Sequence, residues 1–281
     1  MIYVTISTRN RFWHSALTAM SVANANWQGC FIHVLDDATD DDFAEAKEYL
    51  FNDLLLRNII HRYEKLPEQI GFCRGRELMV NRFAAESRFL YWLHLDDDIL
   101  IGPQTVQQAL RDVQAAPMDN RAILHLYANP WAAWKPWAGP FARVTKIGGA
   151  CYLIPKGVML EIGNPYTDQT DGEKANAGFW QRAANAEIPM VIRWTQPYQC
   201  QHTGNVESTI FGHTPKWEAM YAKDFKTGNI IEVPPFRINE LRSAIKGRNL
   251  SGYVWRANTA CREKVKLPAP GSQTGVRKRS G

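Results

Sequence analysis

The sequence has few cysteines and no C-x-x-C pair. Its five cysteines are odd in number and lie far apart along the 281 residues. Small disulfide-bonded domains carry an even set at close spacing, and zinc knuckles need closely paired thiols. The pattern argues against both classes. We expect reduced, buried thiols at Cys30, Cys73, Cys151, Cys200 and Cys261.

Long apolar runs are also missing. The first six residues lack the basic start and the extended apolar stretch of a signal peptide. No later segment reaches the uncharged length that a bilayer-spanning helix needs. We therefore expect a globular protein of the cytosol, which means the host cytosol if the protein is viral.

A glycine-rich turn is absent after the first expected strand, residues 2–7. Dinucleotide-binding folds carry G-x-G-x-x-G at that position, so a dinucleotide cofactor is not expected. Sugar-phosphate nucleotidyltransferases also need a phosphate cradle there. That class of enzyme is therefore a weaker candidate.

Positive charge is concentrated toward the C-terminus. The net charge is +5, and the residues from Arg237 onward contain eleven Lys and Arg against two Glu. A solvated end and a surface for an anionic partner such as nucleic acid both fit this excess. From Pro268 the chain is poor in apolar side chains, as a disordered tail would be.

The first half alternates strands with helices. Strand-like apolar stretches lie at 2–7, 31–35, 58–63 and 89–95, and segments of helical spacing separate them. Short strands joined by helices form βαβ crossovers, which build a parallel sheet covered on both faces. The sequence therefore predicts an α/β, Rossmann-like fold with a mostly parallel sheet flanked by helices.

The second half is less regular. Trp131, Trp134 and Trp137 lie between prolines, which make a regular helix poor because each removes a backbone donor. We expect a loop with exposed aromatic faces; one buried helix face is the alternative. The expected domains are one domain at 1–235, divided into a regular half at 1–115 and an irregular half at 116–235, and a basic extension at 236–281.

The chain is organised around residues 88–102. A strand-like apolar run ends there in three carboxylates, Asp96, Asp97 and Asp98. If the chain stays extended, alternation places Asp96 and Asp98 on the same side. Two oxygen donors suit Mg²⁺ or Mn²⁺, whose other positions water and a diphosphate can fill. The alternative is a polar strand end before a turn.

These segments resemble the GT-A glycosyltransferases, particularly the large inverting family that uses nucleotide-diphosphate sugars. The resemblance covers residues 2–213, and its short motifs follow the family's order. A phage-type enzyme that modifies DNA is one form of it. The matching segments are Val34-Leu35-Asp36-Asp37-Ala38-Thr39-Asp40, Gly71-Phe72-Cys73-Arg74-Gly75-Arg76, Leu95-Asp96-Asp97-Asp98, Ile147-Gly148-Gly149-Ala150-Cys151-Tyr152-Leu153 and Gln201-His202-Thr203-Gly204-Asn205.

The resemblance implies a donor site and a metal site. The implied metal ligands for Mn²⁺ or Mg²⁺ are Asp96, Asp98 and His202, with His213 competing for the histidine position. Helix capping is the alternative role for Asp36 and Asp37, and a solvated helix face for the two helical arginines. The implied nucleotide-sugar contacts are Thr8, Arg9, Asp36, Asp37, Arg74, Arg76, Asp96, Asp97, Gly148 and Gly149.

The resemblance also implies a general base before a helix that carries an arginine. We choose Asp171 over Glu173 and Asp168, with Arg182 on the helix that follows. The family's tight Glu-Asp pair is missing, and Asn176 falls nearer its usual spacing. The identity of the base and the inverting or retaining outcome therefore stay open.

The leading hypothesis is a metal-dependent hexosyl- or pentosyltransferase with a nucleotide-diphosphate sugar donor, UDP-sugar favoured. Its acceptor hydroxyl could belong to a hydroxymethylated pyrimidine in DNA, stacked on Trp131, Trp134 or Trp137. A glycan or lipid-linked acceptor is the alternative. A nucleic-acid-binding protein without catalysis would leave the three aspartates unexplained. The sequence names neither the sugar nor the oligomeric state.

Overall fold

The structure is a computed structural model of the 281-residue chain. Only the backbone is described at a few positions, among them Trp134, Glu173 and His202. The described residues are 1–40, 44–127, 134–145, 150–193, 198, 200–202, 253–255 and 264–266.

Strands and helices alternate through the first half, as the periodicity predicts. Apolar side chains recur at helical spacing in the helices and run almost unbroken through the strands. The elements are β1 (Ile2–Thr8), α1 (Phe12–Asn24), β2 (Cys30–Asp36), α2 (Ala44–Leu56), β3 (Arg62–Lys65), α3 (Phe72–Ala85), β4 (Tyr91–Asp96), β5 (Ile99–Ile101) and α4 (Thr105–Gln114).

Among its described residues, the second half adds short strands and two helices. The last two described strands pair with each other in a separate two-stranded sheet. The elements are β6 (Ile123–His125), β7 (Trp134–Ala138), β8 (Phe141–Val144), β9 (Cys151–Pro155), α5 (Lys156–Ile162), α6 (Gly172–Asn185), β10 (Met190–Arg193), β11 (Cys200–His202), β12 (Tyr253–Trp255) and β13 (Lys264–Lys266).

Within the described residues, nine strands form one sheet in the order β3-β2-β1-β4-β9-β6-β10-β8-β7. The first four strands run parallel, and β6 and β10 run parallel to each other. β9 is antiparallel to both β4 and β6, and β8 is antiparallel to both β10 and β7. The sheet is therefore mostly parallel, and the α/β prediction is confirmed.

Apolar side chains pack on both faces of the sheet. One buried cluster contains Val4, Val34 and Leu95, and a second contains Tyr3, Trp92 and Phe179. The strands are buried on both sides, which explains their nearly continuous apolar sequence. The four described cysteines are free and buried, as expected, and Cys261 lies outside the described residues.

Two element predictions were wrong. The third strand was expected at 58–63 but forms at Arg62–Lys65, because Asn58 adopts a positive φ and Ile60 reaches the core from a bend. A loop was expected around Trp137, but β7 forms there. Pro136 is tolerated because β7 is the last strand of the described sheet, where a missing N–H breaks no ladder.

No helix in the described part of the chain combines the length and the apolar composition that crossing a membrane requires.

Candidate functional site

The carboxyl ends of three neighbouring strands meet at one edge of the sheet, here called the carboxyl edge. In the parallel register Ser7 of β1 lies opposite Asp96 of β4, and Thr8 lies opposite Asp36 of β2. Ligands of open α/β sheets bind outside the carboxyl ends of strands. The topology thus brings the two acidic segments predicted from the sequence to one place.

The chain turns immediately after Asp96. Asp97 and Asp98 form the turn between β4 and β5, so the extended continuation assumed for the alternation of the aspartates does not occur. Asp97 instead accepts hydrogen bonds from Thr8 Oγ1 at 2.7 Å and Ser15 Oγ at 3.0 Å. The three carboxylates therefore have three different sets of partners.

Asp96 is held by a buried arginine and a buried histidine. Arg76 Nη2 contacts Asp96 Oδ1, and His94 Nε2 lies 2.9 Å from the same oxygen. Burial and the charge of Arg76 lower the pKa of His94 to about 4, so the ring is neutral near pH 7. Burial raises the pKa of Asp96, but the charge of Arg76 and the interactions with His94 together outweigh burial, so the net pKa is lowered.

Arg76 is one of the most deeply buried charges described in this protein. Its side chain is 1% exposed, and Nη1 donates to Tyr166 Oη at 3.0 Å. The guanidinium carbon lies 3.8 Å from the centroid of the Phe72 ring. Contact between Arg76 and a nucleotide-sugar donor stays a prediction. In this position the most direct effect of Arg76 is to hold the carboxylate of Asp96.

Arg11 bridges the other two aspartates. Its guanidinium contacts Asp98 Oδ2, and Nη1 lies 3.7 Å from Asp97 Oδ1. Burial raises the pKa of Asp97, and the charge of Asp98 raises it further while that of Arg11 lowers it, leaving it above the ordinary value. Two arginines thus supply the positive charge that three adjacent carboxylates need.

Asp36 and Asp37 make structural hydrogen bonds at the end of β2. Asp36 accepts from the Thr39 backbone N–H at 2.9 Å, and Asp37 accepts from the N–H groups of Ile70 and Gly71 at 2.7 and 2.9 Å. The second set anchors the residues that lead into α3, but the start of α3 has no side-chain cap hydrogen bond, so the capping alternative stays a prediction. A nucleobase or ribose contact by either carboxylate stays a prediction.

Two other arginines predicted to bind the donor differ in exposure. Arg9 is 26% exposed and lies 3.5 Å from Asp40, whereas Arg74 is 67% exposed and pairs with Glu77 on the same helix. Thr8, in contrast, is buried and bonded to Asp97. Gly148 and Gly149 lie outside the described residues.

Asp171 caps α6. Its Oδ1 accepts from the Lys174 N–H at 3.2 Å, and its side chain is 46% exposed. The neighbouring Gly172 packs so closely on Phe72 that a Cβ there would lie 2.5 Å from the ring. Asp171 therefore lies beside the helix whose Arg76 holds Asp96. The Glu173 side chain is outside the described part.

Asn176, the residue nearer the family's usual spacing for the base, is already engaged. Its Oδ1 accepts from Tyr166 Oη at 3.1 Å, and Tyr166 also bonds Tyr152 at 2.8 Å. This places Asn176 in the network that surrounds Arg76. The assignment of the base to Asp171 or Glu173 stays a prediction.

The donor set of Asp96, Asp98 and His202 fits a hard divalent cation. β11 pairs antiparallel with β5 and sets His202 opposite Ile99, the residue after Asp98. Carboxylate oxygens with an imidazole suit Mn²⁺, and a diphosphate can complete such a set. Among the side chains that the structure describes, no three His, Cys, Asp or Glu cluster as a metal site, but His202 is not among them. His213 lies outside the described residues.

Trp137 lies half-buried near the end of the sheet opposite β3. Its ring packs against the core, and the Arg143 guanidinium carbon lies 4.9 Å from the ring centroid. The aromatic face that was expected to be exposed is therefore partly buried at Trp137. The Trp134 side chain and all of Trp131 lie outside the described residues.

Sequence reasoning missed Arg11 and Tyr166. Arg11 comes three residues after β1, in a position where the sequence suggests only the start of a helix. Its place beside Asp97 and Asp98 follows from the pairing of β1 with β4. A basic residue just beyond a strand that neighbours an acidic strand end is the signal that could have found it.

The fold has counterparts among solved structures. A crystal structure of GalNAc-T7 with UDP, GalNAc and Mn²⁺ aligns with a TM-score of 0.54 and 14% identity, over 68% of this chain and 42% of that one. The alignment spans less than half of that chain. At this identity the likeness shows a shared fold, the GT-A fold expected from the sequence motifs.

Two structures of S. aureus TarS are more distant. The longer aligns with a TM-score of 0.49 and 14% identity, over 70% of this chain and 36% of that one. The 1–349 fragment aligns with a TM-score of 0.48 and 15% identity, over 70% of this chain and 59% of that one. No protein-family model and no curated protein matches the sequence.

Proposed function

We propose that this protein is a glycosyltransferase that moves a sugar from a nucleotide-diphosphate donor, UDP-sugar favoured, to an acceptor hydroxyl. The observation that carries the proposal is the convergence of Asp36, Asp96 and Asp98 at the carboxyl edge of a GT-A fold. Nucleotides bind at such edges in α/β folds. The GalNAc-T7 neighbour, crystallised with UDP and Mn²⁺, supports the choice of donor.

Asp96, Asp98 and His202 would hold Mn²⁺ or Mg²⁺ in this proposal. Bound there, the cation would supply positive charge for the leaving diphosphate, which is a poor leaving group until it is neutralised. Arg76 and His94 fix Asp96 from behind, so that its carboxylate is positioned before the donor arrives. Such preorganisation lowers the cost of ordering the site during the reaction.

Asp171 or Glu173 would accept the proton of the acceptor hydroxyl. Asp171 is half exposed at the start of α6, beside Phe72, whose ring covers Arg76. A carboxylate in such a position is open to an incoming acceptor, and Phe72 and Arg76 connect its surroundings to Asp96. General-base catalysis of this kind contributes about 10²- to 10⁴-fold.

The experiment is a transfer assay with labelled nucleotide sugars. Purified protein is incubated with each radiolabelled UDP-sugar, with Mn²⁺ or with EDTA, and both free sugar and acceptor-bound label are counted. We expect Mn²⁺-dependent release of sugar from one donor even without acceptor, since water can replace the hydroxyl. A protein that leaves every nucleotide sugar intact and unbound would contradict the proposal.

We further propose DNA carrying hydroxymethylated pyrimidines as the acceptor. Lys135 of β7 lies directly opposite Arg143 of β8, and both side chains are exposed. Like charges directly opposite each other in a sheet repel, and no described carboxylate lies within ion-pair distance of either. A phosphodiester backbone would relieve this repulsion, and the basic C-terminal sequence adds to the attraction. A phage-type enzyme fits this acceptor.

Replacing both cations should weaken DNA binding. For Lys135→Gln/Arg143→Gln we expect about tenfold weaker binding of a duplex oligonucleotide at low salt. The slope of the logarithm of the binding constant against the logarithm of the salt concentration should become shallower by up to about two units, about one for each lost phosphate contact. The measurement is fluorescence anisotropy across a salt series. Arg57→Gln/Arg121→Gln removes two exposed, ion-paired arginines elsewhere and serves as the charge-matched control.

A glycan or lipid-linked acceptor is the alternative that this measurement separates. Equal DNA affinity for the test and control variants, or binding that ignores salt, would remove the β7–β8 surface from the DNA proposal. Label transfer to a glycan but not to modified DNA would then favour the alternative. Donor use is independent of this result.

A further inference from the structure

Arg11 has an unusual backbone conformation, which hydrogen bonds of the preceding residue help to maintain. Asn10 and Arg11 have φ values of 50° and 51°, so two successive non-glycine residues are left-handed before α1. Each such residue costs on the order of 1–3 kcal/mol and persists only where neighbours hold it. The Asn10 N–H donates to Thr39 Oγ1 at 3.0 Å, and Lys47 Nζ donates to the Asn10 carbonyl at 2.9 Å. The backbone that carries Arg11 is thus fixed from both sides.

The two arginines of the acidic cluster differ in how firmly they are held. Arg76 is 1% exposed and bonds Tyr166 as well as Asp96, under the Phe72 ring. Arg11 is 14% exposed, and among the described residues the contacts of its guanidinium are with Asp97 and Asp98. Arg11 therefore has fewer contacts to lose than Arg76 when it leaves its carboxylate.

If the proposed function holds, two cations compete for the carboxylate of Asp98. Arg11 now pairs with it, and a divalent cation would use the same carboxylate. Arg11 contacts Oδ2 of Asp98, so a divalent cation bound to the same carboxylate would lie close to the guanidinium and repel it. This repulsion favours movement of Arg11 away from Asp98 when the cation binds.

We propose that Arg11 is an exchangeable internal counter-ion of Asp98. In the free protein Arg11 neutralises the carboxylate of Asp98. When a divalent cation binds together with the nucleotide-sugar donor, Arg11 moves away from Asp98 and contacts the diphosphate. This inference rests on the proposed function, and it gives Arg11 the role of keeping metal affinity low until the nucleotide is present. The guanidinium suits both partners because its fork binds carboxylate and phosphate alike.

The experiment measures Mn²⁺ binding to the full chain, first alone and then with UDP. Isothermal titration compares wild type, Arg11→Gln, Arg11→Lys and the control Arg121→Gln. With Mn²⁺ alone, Arg11→Gln should bind about tenfold more tightly than wild type, because the competing charge is gone. Arg11→Lys keeps that charge and should stay within about threefold of wild type. With UDP and Mn²⁺ together, Arg11→Gln should bind UDP about tenfold more weakly.

The gain in Mn²⁺ affinity cannot arise from loss of the fold, because unfolding scatters the ligands. Unchanged or weaker Mn²⁺ binding by Arg11→Gln, with wild type binding UDP and Mn²⁺ normally, would overturn the counter-ion role and leave the proposed function standing. If Arg11→Gln does not fold, Arg11→Lys decides, since Mn²⁺ binding lost in that folded variant would also overturn it. Wild type that binds no UDP at all would contradict the proposed function itself.

Discussion

Asp98→Asn should reduce sugar transfer by roughly a thousandfold, an effect of the size seen when one preorganised charge contact is lost from an active site. The amide keeps the size of the side chain but cannot carry the negative charge that a divalent cation requires. Asp98 lies in the turn after β4, beside Arg11, so the change removes charge where the diphosphate is proposed to bind. The measurement is the rate of label transfer at saturating donor.

The control for this variant is Asp53→Asn. Asp53 is exposed on α2, where it pairs with Arg57, and its neutralisation should leave the rate within about twofold of wild type because surface pairs contribute little. Thermal unfolding of both variants shows whether the fold persists. Transfer by a folded Asp98→Asn protein at the wild-type rate would exclude Asp98 from the metal site.

Arg76→Met should lower the free energy of unfolding by about 3 kcal/mol, at the low end for a buried ion pair because the Asp96 side chain is 27% exposed. The change removes the buried partner and leaves the charge of Asp96 without its main compensation. It also leaves the Tyr166 hydroxyl with one contact fewer. Urea unfolding followed by tryptophan fluorescence measures the loss.

Arg74→Met is the matched control, two residues earlier on the same helix. Its side chain is 67% exposed and pairs with Glu77, so its removal should cost no more than about 0.5 kcal/mol. The double variant Arg76→Met/Asp96→Asn should recover part of the loss, because neither charge then stays buried alone. Equal losses for Arg74→Met and Arg76→Met would contradict the burial that the structure gives to Arg76.

The first half of the fold could be predicted because its signals are local. Continuous apolar runs such as that before Asp96 are typical of strands buried on both faces. The segments between them carry apolar residues at helical spacing. The carboxyl edge follows directly, since parallel strands end on the same side. The α/β class and the placement of Asp36 and Asp96 at the same edge of the sheet were therefore predictable from the sequence.

The second half depends on contacts that are distant in the chain. β9 enters between β4 and β6 in the opposite direction, and nothing in its five residues encodes that direction. The prolines around Trp137 indicated a loop, but a terminal strand tolerates Pro136. Local propensity was overruled in both cases by the position of the strand in the sheet.

The sequence marks the acidic residues of the candidate site but not the arginines that balance their charge. The sequence marks Asp96, Asp97 and Asp98, and alternation suggested which two face together. The chain turns after Asp96, so the alternation of an extended strand does not apply to Asp97 and Asp98. The arginines that pair with these carboxylates, Arg11 and Arg76, come from other parts of the chain. Which cation neutralises which carboxylate is a property of packing, so sequence spacing could not supply it.

The most direct test of the central claim is a crystal structure with UDP and Mn²⁺, with data collected at the manganese absorption edge. The account predicts one anomalous peak between the carboxylates of Asp96 and Asp98 and the diphosphate of UDP, with the uridine near Asp36 at the end of β2. UDP bound elsewhere on the protein, or a manganese peak away from both aspartates, would contradict it.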